Sequence, residues 1–421
     1  MARNPIRFVI LALLSCLVAA CGSSSEDDHK DFFIDTKGRL AIGESGATGV
    51  RILDLDTGQT VGTFALDHPP SALYASPGGR YVLAVQREND LVQTIDGGVW
   101  QEDHGDHLHD YKRPPAMAAF RIAGPRPTHY DDRHGRASIF MDGRAGPPQI
   151  PSYAVLLDDL SIARGQLLAQ LPALPYAVHG FAEPNGDFLV VTHRSADAVD
   201  VLPNYLHVWR RSGEGFVKTQ ELSTRCDRMH GSYTRQNITV AGCAEGVALV
   251  RRDPAGQFTT QFVSASHRVG VVIGHPGMPR MIGAGNTGTP ATTRFSDIDL
   301  DSGRASPITI DGWSEGRLRR AHGWNRQGTR FFVLDDQGTL YALEFSGGAW
   351  RTVGRQERVI AAMPTAAPFP TLVSNGAKDE LYLSDPLGQA IVTIDSGTLA
   401  VRERTALGFT PSTIAWVGIA R

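Results

Sequence analysis

The sequence lacks the features that would assign it to several common classes. Its 421 residues carry a formal net charge of −3 and no basic domain, which excludes a nucleic-acid binder that depends on a positive surface. No His-Glu-x-x-His pair occurs, so a zinc metalloprotease is not indicated. Beyond the N-terminal stretch, no sustained 3.6-residue apolar period of helix length is present, which argues against a helical fold.

The chain has no long apolar run, because the apolar stretch at its N-terminus is short. Phe8 to Ala20 is a 13-residue apolar stretch that follows Arg3 and Arg7, which is typical of a signal peptide and too short for a membrane span. Small residues directly precede Cys21, as in a bacterial lipobox. We therefore expect cleavage before Cys21 and acylation of its thiol; an ordinary signal peptide cut near Ala20 is the alternative.

Three segments follow from this interpretation. Residues 1–20 are the lipoprotein signal peptide, residues 21–31 are the acylated cysteine and a polar tether, and residues 32–421 form the folded domain. The expected location is the periplasm or the cell surface, with the membrane bound through the lipid alone.

Cysteine is scarce, since the chain has only four. Cys16 would leave with the signal peptide, and Cys21 would carry the lipid. Cys226 and Cys243 remain, 17 positions apart, and in an oxidising compartment we expect them to form a disulfide. A pair of metal-bound cysteines is the alternative.

What the sequence has in abundance is a repeat. Short apolar runs preceded by a polar or glycine-containing turn recur about 40 to 56 residues apart, which is the period of propeller blades with four strands each. Several are followed by an alternating strand that ends in Asp-x-Gly, a strand-then-turn pattern. The eight runs begin at Arg39, Arg80, Arg136, Asp187, Asn237, Arg280, Arg330 and Glu380.

The two ends of the repeat predict how the ring closes. The chain enters the repeat at the second strand of a blade, near Arg39, and ends with Ser412 to Ala420, an apolar strand that no blade follows. We expect this last strand to complete the first blade, because closure removes exposed sheet edges. The prediction is a single all-β propeller of eight blades, with seven as the alternative because residues 125–143 are irregular.

Histidines mark one loop. Three His and three Asp lie within the eight residues from Asp103 to Asp110, in an insertion of the second blade at about residues 97–115. Imidazole and carboxylate groups are ligands that zinc accepts, and a tract of this density is typical of metal binding. The candidate ligands are His104, Asp106, His107 and His109; a solvated polar loop is the alternative.

A second group of histidines becomes visible when the apolar runs are aligned. A His-Gly dipeptide precedes three of the runs by eight or nine residues, and a further histidine falls near the same place in the third blade. Such positions start the innermost strand, next to the axis, so imidazoles from different blades could meet at one metal ion; separate hydrogen bonds to backbone carbonyls are the alternative. The four are His129, His179, His230 and His322.

Five other histidines are expected to be structural, with His267 as the first exception to consider. They are His68, His193, His207, His267 and His275.

At these positions the chain resembles the AztD family of periplasmic or cell-surface zinc metallochaperones. One difference is Asp110 before Tyr111, where an aromatic or neutral residue is expected. The motifs that carry the resemblance are Asp103-His-Gly-Asp-His-Leu-His-Asp-Tyr111, Pro127-Thr-His129 before Arg136-Ala-Ser-Ile-Phe-Met-Asp-Gly143, Val178-His-Gly180, Cys226-Asp-Arg-Met-His-Gly231 and Ala321-His-Gly323.

The resemblance implies a β-propeller that binds zinc at two sites and passes it to the solute-binding protein of a zinc ABC importer. The chain is then a monomer and not an enzyme, with no nucleic-acid partner. Because the loop joins a third strand to a fourth while the His-Gly residues start first strands, we expect the two sites on opposite faces. A propeller enzyme, a copper protein with a histidine-lined centre and an interaction scaffold remain as alternatives.

Overall fold

The computed structural model describes residues 30–421, and it consists almost entirely of β-strands. The predicted all-β propeller class is confirmed. The signal peptide, Cys21 and most of the tether lie outside the described residues. Within the described residues, no helix is long and apolar enough to cross a membrane.

The strands form eight four-stranded antiparallel units, in agreement with the expected eight blades. Unit one consists of β1 (Arg39–Glu44), β2 (Gly49–Asp54), β3 (Gln59–Ala65) and β34 (Pro411–Val417), and unit two of β4 (Ala72–Ala75), β5 (Tyr81–Gln86), β6 (Leu91–Asp96) and β9 (Ala116–Ala123). Unit three consists of β10 (Pro127–Arg133), β11 (Arg136–Met141), β12 (Tyr153–Leu157) and β13 (Ala169–Gln170). Unit four consists of β14 (Ala182–Asn185), β15 (Phe188–His193), β16 (Tyr205–Ser212) and β17 (Gly215–Leu222).

Units five to eight continue the pattern, and one hairpin stands outside it. Unit five consists of β18 (Ser232–Arg235), β19 (Ile238–Cys243), β20 (Gly246–Arg252) and β21 (Phe258–Ser264), and unit six of β22 (Val271–Ile273), β23 (Arg280–Thr287), β24 (Thr292–Asp299) and β25 (Arg304–Ile308). Unit seven consists of β26 (Arg319–Trp324), β27 (Arg330–Asp335), β28 (Leu340–Ser346) and β29 (Ala349–Gln356), and unit eight of β30 (Leu372–Ser374), β31 (Glu380–Asp385), β32 (Ala390–Asp395) and β33 (Val401–Ala406). The hairpin of β7 (Val99–Asp103) and β8 (Leu108–Lys112) lies between β6 and β9.

The first strands of the units contact one another around the axis, as β10 contacts β14, β14 contacts β18 and β18 contacts β22. Each apolar run of the sequence repeat forms the second strand of its unit. Units three and four are further joined by one parallel pairing, of Gln170 with Gly215.

The core lies between neighbouring units rather than at the axis. Phe332 and Leu334 of β27 pack in one buried cluster with Leu381 and Leu383 of β31, and equivalent clusters fill the other gaps between units. Alternate strand residues point to opposite faces of each sheet, so every unit is apolar on both sides. This arrangement leaves polar side chains free to occupy the ends of the inner strands.

The C-terminal strand closes the ring as the sequence predicts. β34 pairs antiparallel with β1, with Trp416 opposite Leu40 and Ile414 opposite Ile42. The Trp416 Nε1 donates to the Lys37 carbonyl over 2.8 Å. First and last segments of the chain therefore share one sheet.

Residues 30–421 contain two short helical segments, and one of them bridges two units. They are a 3-10 turn at Arg87–Asn89 and α1 at Asp159–Ala163. The Asp159 carboxylate accepts hydrogen bonds from Ser76 Oγ over 2.9 Å and Gly78 N over 2.7 Å, which joins α1 of the third unit to the second.

Cys226 and Cys243 are joined by a disulfide, with Cα atoms 5.6 Å apart. Cys243 ends β19, and Cys226 lies in the segment that leads into β18. The bond therefore ties the entrance of the fifth unit to its second strand.

Ring closure predicts a difference between two apolar truncations. Ile414→Ala, in the closing strand and 3% exposed, should lower the free energy of unfolding by about 2–5 kcal/mol because it leaves a cavity between β34 and its neighbours. Val401→Ala, in an outer strand and 36% exposed, should change it by less than about 0.5 kcal/mol. Urea unfolding measures both; equal effects would contradict the closure described here.

Candidate metal centre

Three of the four aligned histidines meet at one end of the axis. His129 lies within β10, and His179 and His230 lie just before β14 and β18, so the three side chains come from units three, four and five. Their ligand atoms all lie within 4.8 Å of one another. We call these three residues the channel cluster.

The channel cluster has spacings that suit tetrahedral zinc. The Nε2 atoms of His129 and His179 are 3.3 Å apart, and those of His179 and His230 are 3.1 Å apart. Zinc–nitrogen bonds of about 2.0–2.1 Å at tetrahedral angles put two ligand nitrogens about 3.3 Å apart. A β-bulge between Pro127 and His129 displaces the register of β10 at this point, which explains the irregular sequence there.

Hydrogen bonds on the far side of two rings set which nitrogen faces the cluster. His179 Nδ1 lies 2.9 Å from Asp142 Oδ2, and His230 Nδ1 lies 2.9 Å from the Gly270 carbonyl oxygen. Both partners are acceptors, so each Nδ1 carries the proton and each Nε2 presents a lone pair. Two lone pairs that face each other across 3.1 Å favour a cation between them.

Asp142 is itself held in place. Arg87 and Thr128 each donate to its Oδ2 over 2.8 Å, and its side chain is 5% exposed. Burial alone would raise the pKa of Asp142, but the hydrogen bonds from His179, Arg87 and Thr128 outweigh it and lower that pKa. The carboxylate is therefore ionised and orients His179, a common arrangement around metal-ligating imidazoles.

Burial lowers the pKa of two channel histidines, His129 and His230. Burial, followed by the charges that His179 and His230 would carry, lowers the pKa of His129 to about 3. Burial also lowers the pKa of His230, and the hydrogen bond to Gly270 only partly offsets this. Neutral imidazole is the form that binds metal.

His322 does not join the channel cluster, contrary to the prediction. It lies within β26 of unit seven, which unit six separates from unit five around the ring, and its Nδ1 is 2.6 Å from Arg319 Nη1. Burial, together with the Arg319 charge, lowers the pKa of His322. The shared His-Gly dipeptide therefore marks an equivalent strand position without marking a shared ion.

The other three predicted histidines meet on the β7–β8 hairpin. The ligand atoms of His104, His107 and His109 lie within 4.8 Å of one another, and we call these residues the hairpin cluster. The His107 carbonyl accepts from His104 N over 3.0 Å, which closes a tight turn through Gly105 at φ +91°. The turn stacks the His104 and His107 rings with centroids 4.8 Å apart.

The predicted ligand Asp106 has a different role in this geometry. Its Oδ1 lies 2.8 Å from His107 Nδ1, so it orients the ring and leaves His107 Nε2 for a metal. His109 stacks on Tyr111 with centroids 4.5 Å apart, and Tyr111 stacks on Trp100 at 4.8 Å. One side of the hairpin cluster is thus an aromatic surface, and the other is open.

Asp110, the residue that departs from the resemblance, is buried at 1% exposure. Its carboxylate accepts from Ile34 N over 2.7 Å and Gln101 Nε2 over 2.8 Å, and it pairs with the Arg421 guanidinium. It is a structural anchor for the hairpin and does not belong to the hairpin cluster.

The two clusters lie at opposite ends of the propeller. Strand directions alternate within each unit, so a connection between a third and a fourth strand lies at the end opposite to the start of a first strand. The hairpin joins β6 to β9, and the channel histidines start first strands. A single ion cannot be shared between the clusters.

The histidines expected to be structural mostly have partners within the fold. The rings of His193 and His207 stack with centroids 4.0 Å apart, and His193 Nδ1 contacts the Tyr176 hydroxyl. His275 Nδ1 accepts from Gly277 N over 3.0 Å. His267, the expected exception, is 6% exposed, and its Nε2 has no hydrogen-bond partner within residues 30–421.

The chain is similar in sequence and in fold to known proteins. No model of a protein family matches the chain. The zinc chaperone AztD of Citrobacter koseri is 23% identical over 397 residues, which cover 91% of this chain and 87% of the relative. The chain resembles this zinc chaperone. The relative is named as a chaperone rather than an enzyme, in agreement with the expectation of a non-enzymatic protein.

Solved structures show the same fold. The crystal structure of Citrobacter koseri AztD matches with a TM-score of 0.74 at 21% identity, and its apo form with 0.73 at 20%; each match covers 90% of this chain and 97% of the other. The dihydro-heme d1 dehydrogenase NirN matches with a TM-score of 0.58 at 17% identity, over 92% of this chain and 76% of that one.

The low pKa of His129 predicts how the metal-free protein responds to acid. Below the unfolded pKa of about 6.5, the unfolded chain takes up a proton that native His129 refuses, so stability falls with pH until about pH 3. Between pH 6.5 and 5 the loss should reach about 2 kcal/mol. His129→Gln should remove this part of the slope in urea titrations; an unchanged slope would contradict a neutral, buried His129.

Proposed function

We propose that the chain is a zinc metallochaperone that binds zinc at both clusters and delivers it to the solute-binding protein of a zinc ABC importer. The observation that carries the proposal is the channel cluster, in which two oriented Nε2 lone pairs face each other across 3.1 Å. The resemblance to the zinc chaperone AztD supports it.

The ligand chemistry favours a carried ion over a structural one. Structural zinc sites are closed by four protein ligands, commonly with several cysteines, and a carrier needs ligands that leave one at a time. Each cluster offers three histidines, and the two cysteines of residues 30–421 are engaged in the disulfide. Three imidazoles leave a coordination position through which an acceptor can begin to take the metal.

The two clusters differ in the contacts that hold their histidine rings in place, and this suggests different roles. Asp142 and the Gly270 carbonyl orient two channel histidines, whereas the hairpin histidines are held by a turn, stacking and the part-exposed Asp106. Oriented ligands bind metal more tightly because less freedom is lost on binding. In our proposal the channel cluster holds zinc tightly, and the hairpin cluster exchanges it.

A lipid at Cys21 would place the hairpin towards the membrane. Phe32 and His109 form an isolated parallel β-bridge. Phe32 N donates to the Leu108 carbonyl over 2.8 Å, and Asp31 Oδ1 accepts from Leu108 N over 2.8 Å. The segment that follows the tether is therefore part of the hairpin sheet. We propose that the hairpin cluster faces the membrane and the importer, and that the channel cluster faces away.

Metal counting tests the two sites separately. The mature protein should hold two zinc ions, and His104/His107/His109→Ala and His129/His179/His230→Gln should each lose about one of them in competition with a zinc chelator. His134→Ala, on an exposed turn outside both clusters, is the control. Absence of zinc binding would contradict the proposal, and copper in protein isolated from cells would favour a copper carrier.

Transfer tests the chaperone role beyond binding. Zinc should pass from the loaded protein to the metal-free solute-binding protein of a zinc importer faster than it passes to an equal concentration of chelator, because a docked acceptor offers ligands before zinc leaves. Equal rates would indicate release into solution, and the protein would then be a zinc store.

The anchor has its own test. Cys21→Ser should move the protein from the membrane fraction to the soluble fraction of fractionated cells, because the acylated thiol is removed while the folded domain is unchanged. A soluble wild-type protein would contradict lipid attachment and would leave zinc binding unaffected.

A further inference from the structure

One cation near the channel cluster has no counter-ion. Among the described residues, the Arg268 guanidinium makes no ion pair and no side-chain hydrogen bond. Arg268 is only part-exposed, and its Nε lies 3.7 Å from the position that a Cβ on Gly270 would take. The Gly270 carbonyl is the group that accepts from His230 Nδ1. Arg268 therefore lies beside the backbone group that orients the channel ligand His230.

The other charges around the cluster are already paired. Asp142 is bound by Arg87, and Asp200, the acidic neighbour of Arg268, is bound by Arg228. Arg87 also pairs with Glu88, which in turn pairs with Arg126. With Arg268 included, four arginines and three carboxylates leave one positive charge in excess beside the three imidazoles. A guanidinium next to a divalent cation weakens metal binding unless an anion lies between them.

The channel cluster also lacks a fourth ligand. Within residues 30–421, only three His, Cys, Asp or Glu side chains bring their ligand atoms within 4.8 Å of one another at this place. Asp142 is not among them, and its Oδ2 is already bound to His179 Nδ1, Arg87 and Thr128. Tetrahedral zinc therefore needs one ligand from outside the chain.

We propose that Arg268 recognises an external carboxylate that completes the metal shell, with one oxygen on the metal and the other on the guanidinium. This inference rests on the proposed zinc function and identifies the ligand that the channel cluster requires. A carboxylate fits both requirements, since it is a ligand for zinc and its two oxygens match the planar donors of arginine. The carboxylate belongs either to a small metabolite or to a side chain of an acceptor protein.

Cobalt(II) is the probe, because its visible absorption reports the ligands around the ion whereas zinc is silent. All proteins carry His104/His107/His109→Ala, so that only the channel cluster binds metal. In carboxylate-free buffer at fixed ionic strength, acetate should change the cobalt spectrum in a saturable way. Arg268→Gln should raise the acetate concentration for half-saturation about tenfold, the loss of one charge-assisted contact.

In the absence of acetate, Arg268→Gln should not weaken cobalt binding. Removing the unpaired positive charge should leave cobalt affinity unchanged or strengthen it, whereas a purely structural role for Arg268 would weaken it. Arg304→Gln is the matched control, since Arg304 begins β25 of the same unit at the end away from the channel cluster. Arg304→Gln should have the same acetate response and cobalt affinity as the His104/His107/His109→Ala parent protein.

The outcomes separate this inference from the proposed function. Failure of cobalt and zinc to bind the channel cluster would overturn the proposed site itself. Binding without an acetate response, an acetate response that Arg268→Gln leaves unchanged, or weaker cobalt binding by Arg268→Gln in carboxylate-free buffer would overturn the carboxylate proposal alone. A blocked Gly-Glu-Gly peptide that acts at lower concentration than acetate would indicate a protein side chain as the source, and equal or weaker action a small carboxylate.

Discussion

The pairing of β34 with β1 is the constraint on which the rest of the molecule depends. It joins residues from the two ends of the described chain in one sheet, and it closes the ring of eight units. Once the ring is closed, neighbouring inner strands have fixed positions relative to each other, because apolar clusters fill the gaps between units. Histidines about 50 residues apart in sequence can then stand within bonding distance of one ion.

The two clusters show two ways of arranging candidate metal ligands. The channel histidines come from three separate units, and two of them are oriented from behind by a paired aspartate and a backbone carbonyl. The hairpin histidines come from a single turn, where stacking replaces a rigid frame. A zinc carrier of the kind proposed would benefit from this difference, because preorganised ligands bind more tightly and exposed ligands exchange their ion more readily. The placement at opposite ends means that the two clusters would not compete for one ion.

Much of this architecture could be predicted from periodicity. The eight apolar runs are the second strands of the eight units, and the histidine-rich insertion lies between a third and a fourth strand as expected. His322 shows where such reasoning fails. Its dipeptide matches those of His179 and His230, but unit seven is not adjacent to unit five, and Arg319 occupies its Nδ1. Asp110, which differs from the resemblance, is a buried anchor next to the candidate ligands, and only the structure shows this role.

The sequence by itself determined the strand pattern, the place of closure, the cysteine pair and the residue types available for metal binding, because these follow from local spacing and from the chemistry of each side chain. Only the tertiary structure decided which histidines meet, which nitrogen each presents and which charges remain unpaired. Those properties depend on the angles between sheets and on single contacts such as Asp142 with His179 and Gly270 with His230. A linear pattern contains no information on distances around a ring.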